Sequence, residues 1–196
     1  MIVNNANLYE TISLDKGAGD TSSARGIYED FLTGLSLKGR VLGVGDSARP
    51  HAVINYKCFQ DEATQCIGLN IDEQHCGKFN HFSVVHGNAN SMPFNENEFD
   101  VITSFSHLEH DKYFWKSIAE FRRVLKPGGR LVICLPGYFI GDSDRETTKC
   151  YHVHGIDYYR FSPATFRDVF YEGFTNVAVY SAMTPVRLIG VGELIK

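Results

Sequence analysis

From Arg40 onward the chain alternates short apolar runs with polar or helically spaced stretches. The runs fall at residues 41–44, 66–69, 82–85, 99–102 and 131–135. Each is apolar almost throughout rather than alternating, the pattern of strands buried on both faces in a parallel sheet covered by helices. Ahead of them Ile27, Phe31, Leu32 and Leu35 repeat at helical spacing, with Ser23 as the expected N-cap. Between the fourth and fifth runs Trp115, Ile118, Ala119, Arg122 and Leu125 follow the helical period, and Pro127-Gly128-Gly129 predicts a stop after Lys126. Ser162 before Pro163 predicts a further helix to about Tyr171, closed by Gly173. Two strands near 174–180 and 186–191 complete the pattern, while residues 1–25, polar and without a sustained period, read as an arm or lid. The alternation predicts one domain over 1–196, an open, doubly wound α/β sheet with no internal repeat or dividing linker.

Composition narrows the function. A chain of 196 residues, 43% of them hydrophobic, buries roughly 70% of its unfolded surface and needs no staples. The five cysteines, Cys58, Cys66, Cys76, Cys134 and Cys150, are odd in number and contain no C-x-x-C pair. They suit neither a disulfide framework nor a zinc knuckle, and Cys150, His152 and His154 lack a second ligand pair, so no metal site is expected. With 19 basic against 23 acidic side chains, a net charge of −4, and a basic cluster confined to Arg122, Arg123 and Lys126, a nucleic-acid partner is not expected. No apolar run approaches the roughly 18 residues of a membrane span, and the start lacks signal-peptide character, so a cytoplasmic location is the expectation. Oligomeric state is left open.

In open α/β sheets, ligands bind beyond the carboxyl ends of the strands, where strand order reverses. The first such loop, residues 43–50, has small residues for a sharp turn and Pro50 for the first turn of a following helix, whose free N–H groups can hold a polar ligand. A tight turn that needs glycine only for sterics accounts for it equally well. In the second, residues 68–72, Asp72 lies near the roughly 20-residue spacing from Gly45 at which an acid grips a ribose. The third, residues 87–94, offers Asn88 and Asn90 to an adenine edge, or merely caps a strand.

Three blocks then stand out: NANSMPFNENEFDVITS at 88–104, HLEH at 107–110 and EFRRVLKPGGRLVI at 120–133. In order and spacing they resemble class I S-adenosylmethionine-dependent methyltransferases, especially a bacterial-type subgroup associated with surface-sugar and natural-product pathways. Residues 154–163 also resemble that subgroup, and the likeness runs from about Arg40 to Gly173. The resemblance implies a Rossmann-like, seven-stranded sheet, mostly parallel with an antiparallel last strand and helices on both faces. It also implies S-adenosyl-L-methionine as cofactor. Gly43, Gly45, Asp46 and Ser47 would approach its methionine part, Asn70, Ile71 and Asp72 its ribose, Asn88, Ala89 and Asn90 its adenine, and Ser104 and Phe105 would open the methyl-transfer end. Three departures accompany these matches. Gly43, Asn70 and Asn88 stand where such enzymes usually carry carboxylates, with Asp46 or Asp72 available to compensate.

Transfer of an activated methyl group needs orientation and a dry pocket more than catalytic groups. For a hydroxyl acceptor a neutral imidazole is the suitable base, with His110 and His107 the first candidates. Residues 137–161 are the expected acceptor-binding loop for a small molecule or carbohydrate. There Tyr138, Tyr151, Tyr158 and Tyr159 are available to stack, and His154, Asp157 and Arg160 to bond acceptor oxygens, although packing explains Tyr158 equally well. Two other readings stay open: a non-catalytic binding or assembly module on the same fold, and a nicotinamide-dependent oxidoreductase, disfavoured because the G-x-G-x-x-G fingerprint breaks at Arg49-Pro50.

Overall fold

All five apolar runs lie in strands of the computed structural model, which describes residues 12–14, 24–61, 64–140, 148–150, 156–183 and 186–195, with backbone alone at 13, 24–27, 138–140, 148–150, 183 and 186. The central strands are β2 (Gly39–Val44), β3 (Thr64–Asn70), β5 (Phe82–His86), β6 (Phe99–Phe105) and β7 (Leu125–Pro136), all parallel in the order β7-β6-β2-β3-β5. β11 (Val186–Leu194) pairs antiparallel with β7 on one side and with β10 (Phe174–Met183) on the other. These are the seven strands expected. Two short ones, β1 (Ile12–Ser13) beside β10 and β4 (Gly77–Phe79) antiparallel to β5, extend the edges, so the sheet has nine strands among the described residues. A separate hairpin joins β8 (Tyr138–Ile140) to β9 (Thr148–Cys150) within the expected acceptor loop.

The period of two along each strand sorts side chains into two cores. Leu42, Ile102, Leu131 and Ile133 face one way and meet Ile118, Phe121 and Val124 of α2 (Phe114–Val124), together with Phe166 and Phe170. Val41, Val101 and Val132 face the other way and meet Tyr28 and Leu32 of α1 (Ala24–Gly34), with Val53, Ile54 and Phe59 from the loop after β2. Each such side chain contributes about 1.5–3 kcal/mol by leaving water.

Three elements differ from the sequence expectation. No α-helix follows Pro50. Two 3₁₀ turns, Val53–Asn55 and Lys57–Phe59, take its place, separated by Tyr56 in extended conformation. α2 ends at Val124, two residues early, because Leu125 turns extended and pairs with Phe99; Pro127-Gly128-Gly129 then falls where the register of β7 slips, with Gly128 at φ +73°. The last helix, capped by Ser162 as expected, is a single turn, α3 (Pro163–Thr165), running into a π turn over Phe166–Phe170. Ser23 and most of the N-terminal arm lie outside the described residues.

α2 also anchors a loop. The Glu120 carboxylate accepts from the Met92 N–H (2.6 Å) and from both Nε and Nη2 of Arg123, while Arg123 donates to the carbonyls of Met92 and Phe94 (3.1 and 2.8 Å). This clamp explains the charged pair of the third sequence block: it fixes the loop that carries Asn88 and Asn90. Removing the cation leaves a carboxylate and two carbonyls short of donors. Arg123→Met is therefore expected to lower unfolding free energy by about 1–2 kcal/mol, read as an earlier urea midpoint with unchanged slope.

Candidate functional site

The chain runs outward from β2 through β3 to β5, then returns to β6 beside β2, so the loops above β2 and β6 diverge. A cavity of about 470 Å³ opens there. Its β2 and β3 walls are Val44, Gly45, Leu69, Asn70 and Ile71, and its β5 wall is Gly87, Asn88, Ala89 and Asn90. Ser106, His107, His110, Asp111, Lys112 and Tyr113 follow β6, and Tyr158 reaches over from the acceptor segment. Gly45 takes φ +85°, and a Cβ there would lie 3.0 Å from the His107 Cβ, so this position demands glycine for both conformation and close approach.

The missing carboxylates are explained by their neighbours. A side chain at Gly43 would overlap the carboxylate of Asp46 and come within 2.7 Å of Ile54. Asp46 occupies that space and accepts from the N–H groups of Val53 (2.8 Å) and Ile54 (3.3 Å). Those are the free donors that the expected helix would have offered to a ligand; a carboxylate of the chain itself consumes them. Burial pushes the Asp46 pKa up to about 6 against the opposing effect of these two bonds. Asn70 donates through Nδ2 to the carbonyls of Asp46 (2.9 Å) and Gly45 (3.3 Å) and accepts from the Asp72 N–H (2.9 Å). An aspartate has no hydrogen to give to two carbonyls, so the amide is what ties the end of β3 to the glycine turn. Asn88 accepts from the Asn90 N–H (2.8 Å), and Asn90 in turn donates to Asp111 (2.8 Å) and Ser117 (2.9 Å).

Several expected residues stand away from the cavity. Asp72 caps the short turn Glu73–His75 by accepting from the Gln74 N–H (2.9 Å). Gly43, Asp46 and Ser47 lie beneath or beside the turn rather than on the lining. β6 runs three residues further than its apolar run, so Ser104 is still inside the sheet, bonded through Oγ to His107 Nδ1 (3.2 Å), and Phe105 packs on the opposite face against Tyr28. The site begins instead at Ser106, whose φ of +48° is rare for a residue with a Cβ. Asp157 and Arg160 form a two-pronged ion pair with each other, and Tyr159 donates to the Lys112 carbonyl (3.0 Å) while its ring packs edge-on against Phe114 and tilted against Phe161. His154, Tyr151 and the Tyr138 side chain lie outside the described residues. Asp111, Lys112 and Tyr113 carried no sequence signal, because they follow the HLEH block without belonging to any periodic pattern.

The two histidines differ in environment. Burial pulls the His107 pKa down to about 4, opposed by Asp111 and reinforced by His110, so its ring is neutral at physiological pH. His110 places Nδ1 on the Ile156 carbonyl (2.8 Å) and Nε2 3.7 Å from Glu109, a fully buried residue whose pKa burial raises to about 7. The Glu109 carbonyl receives the Tyr158 N–H (2.8 Å). The HLEH turn thus holds the 156–160 segment over the cavity.

This architecture has known counterparts. Residues 42–133, a little under half of the chain, match the family described as "Methyltransferase domain". The matched stretch takes in the central strands from β2 to β7. A demethylmenaquinone methyltransferase of Staphylococcus epidermidis is 36% identical over 67 residues, which cover 34% of this chain and 27% of that protein. The chain thus spans about a quarter of that relative's length. Among solved structures, an S-adenosylmethionine-dependent methyltransferase from Mesorhizobium loti superposes with a TM-score of 0.61 at 15% identity, covering 84% of this chain and 96% of that one. A complex of the Haloferax volcanii Trm112 methyltransferase activator with a methyltransferase gives 0.63 at 16% identity, covering 85% and 88%. At such identities the likeness is one of fold.

Because one carboxylate fits beneath the turn and two do not, Gly43→Asp should destabilise the domain and Asp46→Gly in the same chain should recover part of the loss, measured as a double-mutant cycle of urea midpoints. The raised Asp46 pKa favours the folded state at low pH, so its contribution is present below about pH 4 and lost as pH rises through about 6. Glu109 adds a change of the same sign, hence the readout is the difference between wild type and Asp46→Asn: the wild-type advantage should shrink between pH 4 and 7 and stay flat above.

Proposed function

We propose that the protein binds S-adenosylmethionine in the cavity above β2 and β6 and transfers the methyl group to oxygen or nitrogen of a small-molecule acceptor. The observation that carries this reading is the crowded glycine turn at Gly45, which opens the cavity floor at the switch point of a methyltransferase-type sheet. The residues present fit an adenosyl ligand. Leu69, Ile71 and Ala89 offer an apolar wall for a purine, and the Asn88 amide nitrogen has no partner among the described residues. The Gly45 turn would receive the amino-acid end, Asn70 and Ile71 the ribose, and Asn88 to Asn90 the adenine, with Ser106 and His107 toward the methyl group.

When bound, the cofactor supplies a methyl carbon already activated by a positively charged sulfur. The protein's part is orientation. The neutral His107 ring, with Nδ1 turned to Ser104, leaves Nε2 to accept a hydrogen bond from an acceptor hydroxyl. Its lowered basicity suits alignment more than full proton removal. His110 acts through position, since both its nitrogens face protein groups. Without carboxylates at Asn70 and Asn88 two contacts weaken by about 1 kcal/mol each, an affinity loss of more than about tenfold.

Calorimetry with S-adenosylhomocysteine is expected to give a dissociation constant up to tens of micromolar, an order-of-magnitude figure, and Gly45→Arg should abolish binding while the thermal transition persists. Unchanged affinity in that variant would overturn the placement. No heat even at millimolar ligand would instead favour the non-catalytic module, for which Asp46 and Asn70, both spent on the chain's own backbone, are the motivating observation.

A further inference from the structure

Three of the large apolar side chains exposed among the described residues line one cavity, and two more belong to the segments that carry them. Tyr113 (44% exposed), Tyr158 (45%) and Ile71 (68%) line it; Trp115 (51%) packs edge-on against Tyr113 at 5.7 Å, and Ile156 (69%) belongs to the segment pinned by His110. Such a cluster is costly in water and marks a surface that meets an apolar partner. The ammonium groups of Lys112 and Lys116 stand 5.6 and 5.2 Å from the centre of the Tyr113 ring, so the aromatic rim also carries two positive charges.

The polar side chains around this rim are engaged with one another. Asp111 takes the Tyr113 N–H, the Ser117 hydroxyl and the Asn90 amide; Asp157 and Arg160 hold each other; the Tyr159 hydroxyl is on a backbone carbonyl. A sugar is recognised by planar polar side chains that bond adjacent hydroxyls, and on the described acceptor side these are already consumed. What the rim presents to a ligand is flat apolar surface with positive charge beside it.

We infer that the mouth of the cavity, lined by Lys112, Tyr113 and Tyr158 with Trp115 and Lys116 against the Tyr113 ring, binds a planar aromatic anion rather than a carbohydrate, and so sets the acceptor class. The inference rests on the proposed methyltransferase reading, with the rim as its acceptor side. Stacking on Tyr113 and Tyr158 supplies the contact area, and the lysines orient the anionic group at the rim so that the rest of the ring enters the cavity.

Titration with 2-naphthoate, its neutral counterpart 2-naphthylmethanol and glucose 6-phosphate, with S-adenosylhomocysteine as a separate titrant, tests this. Trp115 is the only tryptophan, so its fluorescence reports on the rim alongside calorimetry. Saturable naphthoate binding, about tenfold weaker for the neutral alcohol and for the exposed double variant Lys112→Gln/Lys116→Gln, is the expected result. Trp115→Ala should weaken naphthoate binding while leaving S-adenosylhomocysteine affinity unchanged. Equal binding of naphthoate and alcohol, insensitivity to the lysine variant, or tighter binding of the sugar phosphate would overturn it. If S-adenosylhomocysteine binds and naphthoate does not, the acceptor class is wrong and the cofactor reading stands; if neither cofactor product nor naphthoate binds, the cofactor reading fails with it.

Discussion

Everything above the sheet depends on the parallel pairing of β2 with β6, which brings Val41 opposite Val101 and Val44 opposite Ser104. That pairing is what makes the chain turn back on itself. The two strands run parallel, but the chain leaves them toward opposite sides of the sheet, to β3 and to β7, so their following loops diverge and a gap opens at their carboxyl ends. Into this gap the glycine turn comes from one side and the HLEH turn from the other, meeting at the contact between Gly45 and His107.

The polar groups near the gap are used mainly for construction. Asp46 and Asn70 brace the turn after β2, the Glu120–Arg123 pair braces the loop after β5, and Glu109 and His110 brace the segment that ends in Tyr158. A buried carboxylate with a raised pKa, as at Asp46 and Glu109, is an expense in folding free energy that backbone bonds only partly offset. The return is geometric: three loops without long helices behind them hold one cavity. The large apolar groups left over, Tyr113, Trp115 and Tyr158, stand at its rim.

Strand positions, the two core faces and α2 were legible in the sequence because burial on both sides of a parallel strand demands uninterrupted apolar runs, and helix burial demands a 3.6-residue period. The place of loops after strands singled out Gly45, Asn88 and Asn90, the family resemblance added Asn70, Ile71 and Ala89, and the HLEH block supplied His107 and His110; the cavity is lined by all eight. What local pattern could not decide was where each side chain points. Asp46 follows a glycine motif and reads as a ligand-facing acid, yet it folds under Gly43; Asp157 and Arg160 read as a recognition pair, yet they bond each other. Periodicity encodes which face of an element is apolar, and that much the chain carries locally. Whether a polar group in a loop faces a ligand or a neighbouring backbone is set by hydrogen-bond partners that lie far away in sequence or several residues on, as with Asn70 and the Gly45 carbonyl or Asp46 and the Val53 N–H, and only the folded arrangement brings those partners to it.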